Sequence, residues 1–282
     1  MEAKSELRLA VLIDADNVPF NNVKGMLEEI AKLGTPTFKR IYGDWTKPNV
    51  AGWKAVLLEN AITPIQQYSY TSGKNSTDSA MIIDAMDILY TGKVEGFCIV
   101  SSDSDFTRLA TRLRESGMKV IGIGERKTPN PFIVSCDKFI YLEILKSQET
   151  STETSPEKNK VDNKKSTLLK VDNKTLKLIS ESINDVADEN GWAFLGDVGS
   201  MIIKKKPDFD ARNFGFSKLT PMLKSLKKDF EIDERETDKS NTKLVYIRNR
   251  AKVKDKKKHE KRTQPQKSNP PEPKIEVDDL PF

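Results

Sequence analysis

The chain has 282 residues, with 47 lysines and arginines against 42 aspartates and glutamates, which is enough for one larger and one smaller domain. Its single histidine, His259, argues against a histidine-ligated zinc site and against catalysis by a histidine base. Two cysteines give no disulfide framework and favour a reducing cytoplasm. The sequence has no run of about 18 apolar residues, and MEAKSELR lacks the apolar core of a secretory signal, so we expect no membrane segment.

The positive charge is concentrated near the C-terminus. Residues 1–145 hold 17 basic against 18 acidic side chains, whereas residues 248–274 hold 11 against 3. A basic segment of this kind attracts polyanions without reading a sequence. The composition therefore points to nucleic acid as a partner.

Strand-like and helix-like patterns alternate along residues 1–145. The predicted strands are LRLAVLIDA, TFKRIYGD, AITPIQQY, GFCIVSS and MKVIGIG. Helices are predicted between Pro19 and Gly34, over NVAGWKAVLLEN, from Ser76 to Tyr90 and from Phe106 to Glu115. This alternation predicts an α/β domain in which helices cover both faces of a parallel sheet.

The rest of the chain divides into three parts. Residues 146–167 are polar and predict a linker, and residues 249–282 predict a disordered basic tail that ends in IEVDDLPF. Between them, residues 168–248 show three helical patterns and two strands. The third helix is predicted from Phe216 to Lys228. Three helices followed by a hairpin are typical of a winged-helix domain.

Five carboxylates are predicted to meet at one edge of the sheet. Asp14 and Asp16 follow the first strand, Asp103 and Asp105 follow GFCIVSS, and Asp78 begins a helix. Parallel strands end at a common edge, where α/β proteins form their sites. Such carboxylates repel one another unless a cation lies among them, and oxygen ligands suit Mg²⁺ or Mn²⁺. The alternative is that each aspartate only caps a helix or a turn.

The strings VLIDADN, NSTDSAMIIDAM and IVSSDSDF, with LATRLRESGMKVIGIG, resemble the NYN branch of the PIN-like nucleases. The resemblance implies a Rossmann-like parallel sheet and metal-dependent cleavage of RNA, with DNA cleaved by some relatives. It implies that Asp14, Asp78, Asp103 and Asp105 bind the metal and carry catalysis. It places Asn17 and Ser101 beside the ligands or phosphate and Lys74 near the substrate, whereas it assigns no role to Asp16.

VLIDADNV also fits the D-x-D-x-V pattern of haloacid-dehalogenase-type phosphatases. In that alternative Asp14 attacks phosphorus and Asp16 is the general acid. These enzymes also need a serine or threonine at a later strand end, which IVSS supplies, and a lysine, for which no position fits well. A second alternative is a catalytically silent adaptor that only binds nucleic acid.

FLGDVGSMIIKKKPDFDARNFGFSKLTPMLKSL and the strand ending KLVYIR resemble the OST-HTH (LOTUS) domain, which often accompanies NYN domains. Lys218 and Lys224 on the third helix are predicted to contact phosphates. The alternative is a solvated helix face on a structural or protein-binding domain.

The last residues resemble the acidic tip of bacterial single-stranded-DNA-binding proteins. Asp278, Asp279, Pro281 and Phe282 are then predicted to dock in a receptor of such tips, with the aromatic ring buried and the acids paired with basic residues. The alternative is a chance match. The sequence as a whole predicts a cytoplasmic Mg²⁺- or Mn²⁺-dependent nuclease that favours RNA over DNA, with endonucleolytic and exonucleolytic action both open.

Overall fold

We analysed a computed structural model of the chain, which describes residues 6–68, 76–149, 168–237 and 240–250. The described residues up to Asn249 form one compact unit. Within it, a parallel sheet occupies the N-terminal region and a small antiparallel sheet the C-terminal region. The predicted fold class, an α/β sheet with a smaller helical domain bearing a hairpin, is confirmed.

Six parallel strands make up the larger sheet, in the order β3-β2-β1-β4-β5-β6. They are β1 (Arg8–Asp14), β2 (Thr35–Gly43), β3 (Thr63–Gln66), β4 (Gly96–Val100), β5 (Lys119–Gly124) and β6 (Lys138–Tyr141). The α-helices of this region are α1 (Val23–Ala31), α2 (Lys54–Leu57), α3 (Ser76–Tyr90), α4 (Thr107–Glu115), α5 (Asn130–Ser135) and α6 (Leu142–Glu149). Glycines with positive φ, Gly92 and Gly117, follow α3 and α4, as expected for helix ends.

Apolar layers cover both faces of this sheet, which explains why β1 has a continuous apolar sequence. Leu9 and Ile13 belong to one layer, whereas Ala10 and Leu12 belong to the other. All four side chains are fully buried. A strand that buries both faces needs no polar alternation, which is the pattern expected for parallel sheets.

Several elements differ from their predicted form. The segment NVAGWKAVLLEN is a 3-10 helix over Pro48–Trp53, followed by only four residues of α2. The ring of Phe20 packs on Gly52, where a Cβ would lie 2.4 Å from a ring carbon. Three further elements, α5, β6 and α6, were not predicted, and α6 extends to Glu149 within the segment predicted as a linker.

The C-terminal region contains three α-helices and three strands. These are α7 (Asn173–Val186), β7 (Ala193–Phe194), α8 (Leu195–Lys205), α9 (Leu219–Ser225), β8 (Phe230–Thr237) and β9 (Ser240–Asn249), with sheet order β7-β9-β8. The predicted Phe216–Lys228 helix is therefore too long. Pro221 fits the first turn of α9, where its missing N–H costs nothing, but not a helix interior that began at Phe216.

The two regions contact each other along β6, which is an edge strand of the parallel sheet. The backbone N–H of Phe139 donates to the carbonyl of Pro207 at 2.8 Å. The hydroxyl of Tyr141 donates to Asp208 Oδ2 at 2.9 Å. The loop after α8 thus covers part of an edge whose polar groups would otherwise be unpaired.

A buried ion pair joins α1 to the same loop. Arg212 donates to both carboxylate oxygens of Glu29, at 2.7 and 3.0 Å, and also pairs with Asp210 at 2.7 Å. The Glu29 side chain is 6 % exposed. Burial raises the pKa of Glu29, but hydrogen bonds from Arg212 and Lys32 outweigh burial and lower it to about 2. Ionised Glu29 therefore stabilises the contact.

We expect Arg212→Ala to lower the free energy of unfolding at pH 7 by about 3 kcal/mol, because it removes the guanidinium that bonds both oxygens of a buried carboxylate. Since the folded pKa of Glu29 is depressed, its contribution is complete above about pH 4.5 and is lost as the pH falls towards 2. The variant should therefore lose less stability than the parent between pH 5 and pH 3. Chemical denaturation at pH 7, 5 and 3 measures both effects.

Arg8→Ala is the matched control, because Arg8 pairs with Glu95 on the surface. Solvent screens such an exposed pair, so Arg8→Ala should lower stability far less than Arg212→Ala does. Equal losses in the two variants would contradict the structural role given to Arg212.

Candidate functional site

Asp14 lies at the carboxyl end of β1, where pairing with β4 brings Ser101 alongside. The Ser101 hydroxyl and the Asn17 amide both donate to Asp14 Oδ2 at 2.7 Å, and the Asp16 N–H donates to Oδ1 at 3.1 Å. Only 1 % of Asp14 is exposed. Burial raises the pKa of Asp14, although the three hydrogen bonds oppose that rise. This carboxylate is held in a single orientation.

Ser101 also connects Asp14 to the next acid. Its hydroxyl oxygen accepts from the Asp103 N–H at 3.1 Å. The Asp103 carboxylate in turn accepts from the Asp105 N–H at 2.9 Å and caps the 3-10 helix Ser104–Phe106. The turn SSDSD is thus fixed by its own side chains, and it directs two acids to the edge beyond β4.

Asp78 approaches these acids from the first turn of α3. Asp78, Asp103 and Asp105 each offer one carboxylate oxygen, and the three oxygens lie within 4.8 Å of one another. Burial raises the pKa of Asp78 to about 6, and the negative charges of Asp14, Asp103, Asp105 and Asp16 add to the rise. We call Asp78, Asp103 and Asp105 the carboxylate cluster.

The carboxylate cluster fits a divalent cation. Two oxygens that bind one ion at about 2.0–2.6 Å lie no more than about 5 Å apart, which agrees with the 4.8 Å limit of the cluster. The mutual repulsion that raises the pKa of Asp78 is the interaction that a cation would reverse. The donor set consists of carboxylate oxygens and is suited to Mg²⁺ or Mn²⁺.

The structure brings together most of the residues that were predicted from the sequence to lie at this edge. Asp14 is not in the three-member cluster, but it is the first of the charges that act on Asp78. Asn17 and Ser101 contact Asp14. Asp16 is exposed and accepts from the Thr77 hydroxyl at 3.5 Å. Lys74 lies outside the described residues.

Two further acids near this edge have structural partners. Asp44 is buried just after β2, where it accepts from Thr46 and Gln66. Its position after a strand is visible in TFKRIYGD, whereas no local pattern indicates these partners. Asp84 on α3 accepts from Arg40 and from the hydroxyl of Tyr42, so it ties α3 to β2 rather than lying free in solvent.

The burial of Asp14 disfavours the phosphatase alternative. A nucleophilic carboxylate needs an oxygen open to the substrate, whereas both oxygens of Asp14 accept hydrogen bonds. The candidate general acid of that alternative, Asp16, lies on the surface.

In the C-terminal region, the structure separates the two lysines that were predicted to contact phosphates. Lys224 forms an ion pair with Glu234 on β8, so its charge is already balanced. Lys218 precedes α9 and is exposed. Asp278, Asp279, Pro281 and Phe282 lie outside the described residues, and their docking stays a prediction.

Among solved structures, the chain is 25 % identical to an uncharacterized protein from Nitrosomonas europaea, with 36 % of this chain and 94 % of that chain covered and a TM-score of 0.28. It is 20 % identical to a protein of unknown function from Vibrio parahaemolyticus, with 49 % and 94 % covered and a TM-score of 0.40. Neither likeness carries an argument about this chain. No curated protein matches it.

Family comparisons are more informative. The NYN domain model matches residues 8–143, and the OST-HTH/LOTUS domain model matches residues 166–242. NYN domains are a nuclease-like family of PIN type, and OST-HTH domains bind nucleic acid, mainly RNA. In the described part of the chain, no helix has the length and apolarity that a bilayer crossing requires. From the two family matches, the chain carries a PIN-like NYN domain followed by an OST-HTH/LOTUS domain.

Proposed function

We propose that the protein is a divalent-metal-dependent nuclease that cleaves phosphodiester bonds, with RNA preferred over DNA. The observation that carries the proposal is the carboxylate cluster, three acids within 4.8 Å at the carboxyl edge of an NYN-type sheet. Mg²⁺ and Mn²⁺ are the ions that suit these ligands. The two buried, unpaired cysteines agree with action in the cytoplasm.

The side chains at the edge divide into ligands and positioning residues. Asp78, Asp103 and Asp105 would bind the ion directly. Asp14 adds negative charge beside them. Asn17 donates a hydrogen bond to Asp14, and the Ser101 hydroxyl bonds both Asp14 and the N–H of Asp103, so these contacts fix the positions of the two acids. A bound divalent ion would supply Lewis acidity at the phosphate and lower the pKa of a bound water.

The proposed organisation assigns residues 1–145 to the nuclease domain and residues 168–248 to the nucleic-acid-binding domain, with a linker at 146–167 and a basic tail from 249. The second domain then holds the substrate while the first cleaves it. A catalytically silent adaptor remains the alternative, and it differs in one respect: it requires neither metal nor the acids for its function.

We expect Asp103→Asn to lower cleavage of labelled single-stranded RNA by at least about 100-fold in Mn²⁺. Loss of residues that merely support metal ligands costs about 10–100-fold, and loss of a ligand costs at least as much. Binding of the same RNA should change little, because the substitution removes no cationic side chain. Cleavage rates and equilibrium binding are measured on the same preparation.

Asp87→Asn is the matched control, since Asp87 lies on the exposed side of α3. It should cleave RNA as the parent does. If Asp103→Asn is as active as the parent, the assignment of the site is wrong. If the parent cleaves neither RNA nor DNA with any divalent ion, the adaptor alternative is correct.

Metal binding should also be visible in stability. In the metal-free protein, the raised pKa of Asp78 means that stability falls as the pH rises from about 4 through 6. Asp78→Asn should therefore stabilise the metal-free fold at pH 8, by on the order of 1–3 kcal/mol. Mn²⁺ should raise the unfolding temperature of the parent and have little effect on this variant.

Thermal unfolding at pH 8 with EDTA or with Mn²⁺ measures these shifts without reference to activity. Asp87→Asn should respond to Mn²⁺ as the parent does. A parent protein whose unfolding temperature is the same in EDTA and in Mn²⁺ would refute metal binding at the cluster.

A further inference from the structure

The β8–β9 hairpin is poorly suited to hold a polyanion. Its described residues carry four acids against three cations, and each cation is paired with an acid. The pairs are Arg235 with Asp233, Lys243 with Glu236, and Arg248 with Glu231. The remaining acid, Glu234, balances Lys224 on α9. The described residues of the hairpin therefore offer a nucleic acid no net positive charge.

A group of lysines lies where α7 begins and α8 ends. A surface pocket of about 430 Å³ opens there, and four lysines line it: Lys170, Lys174, Lys205 and Lys206. Lys205 pairs with Asp185 at 2.5 Å, whereas the other three form no ion pair with the described residues. Asp172, which caps α7, also lines the pocket and offsets one of these charges.

The floor of this pocket is apolar. Leu169, Leu178 and Phe214 line it, and Leu169 is 43 % exposed. Lysines around an apolar floor suit a ligand that has both anionic groups and flat apolar surface. A nucleotide combines a phosphate with a base, and 430 Å³ falls in the range of about 300–1000 Å³ for small-ligand sites.

Short contacts connect this pocket to the carboxylate cluster. The Leu169 N–H donates to the carbonyl of Asn213 at 2.9 Å, and Arg126 donates to the Asn213 side chain at 3.4 Å. The neighbouring Glu125 N–H donates to the Ser102 hydroxyl at 2.8 Å, and Ser102 directly precedes Asp103. These contacts run from the pocket through Asn213 and the loop after β5 to the turn that carries Asp103.

We propose that the pocket at the start of α7 binds the backbone and one base of single-stranded RNA. The inference rests on the proposed function for the identity of the ligand. A single strand can insert a base against Leu169 and Phe214, whereas the bases of a duplex are stacked and paired. The lysines on the hairpin side, by contrast, should contribute little to binding.

The test compares two triple variants of the full-length chain. Lys170→Gln with Lys174→Gln and Lys206→Gln removes the unpaired charges of the pocket. Lys218→Gln with Lys227→Gln and Lys228→Gln removes the same charge from exposed positions before and after α9. Binding of a fluorescent 12-nucleotide RNA is measured in EDTA over a range of salt concentrations, so that metal-dependent cleavage does not interfere.

We expect the pocket variant to bind at least tenfold more weakly, with a salt slope reduced by about 2, since each contact to a single strand contributes about 0.7. The α9 variant should stay within threefold of the parent. Photo-crosslinking of thiouridine-labelled RNA should map to residues 169–178 and 205–214 in the parent, and this readout requires no variant to fold.

Three results would overturn the proposal: unchanged RNA binding by the pocket variant, an equal loss in the α9 variant, or crosslinks that map only to the hairpin. A pocket variant that keeps RNA but no longer binds a peptide of sequence IEVDDLPF would assign the pocket to the acidic tip instead, which also overturns it. Cleavage is scored separately. A parent that never cleaves, yet loses RNA when the pocket lysines are replaced, refutes the nuclease alone.

Discussion

Parallel pairing of β1 with β4 is the constraint on which the site depends. It places Asp14 at the end of one strand beside Ser101 at the end of the next, and the Ser101 hydroxyl then bonds both Asp14 and the N–H of Asp103. One hydroxyl thereby sets the spacing of two acids that repel each other. Asp105 and Asp78 follow from that placement, because the SSDSD turn and the first turn of α3 reach the same edge.

Acidic side chains occur in two kinds of environment in this fold. Acids that serve the structure have cations or hydroxyls as partners: Glu29 has Arg212, and Asp84 has Arg40 and Tyr42. At the sheet edge, by contrast, burial and the negative charges of four neighbouring described aspartates raise the pKa of Asp78 to about 6. Repulsion concentrated at one place is stabilising only when a cation or a proton relieves it. This contrast separates the candidate site from the many other aspartates of the chain.

The strands and the edge were predictable because their signals are local. An apolar run followed by ID-x-D indicates a buried strand with acids at its end, and α3 has a clear beginning and end. Which acids form the carboxylate cluster was harder to predict from the sequence. Asp14 accepts hydrogen bonds from Asn17 and Ser101 and lies outside the cluster, whereas Asp105 lies beside Asp78 and Asp103. The Glu29–Arg212 pair spans 183 residues and leaves no local pattern at all.

The segment after α8 also joins the two domains. β6 is open along one edge, and the loop after α8 covers part of it through Pro207 and Asp208, whereas Arg212 pairs with Glu29 on α1. The same loop directly follows the lysines at the end of α8. The contacts at Pro207 and Arg212 also anchor the end of α8, and with it Lys205 and Lys206, to the parallel sheet and to α1. If the pocket binds RNA as we propose, these contacts hold that RNA on a surface fixed to the domain that carries the carboxylate cluster.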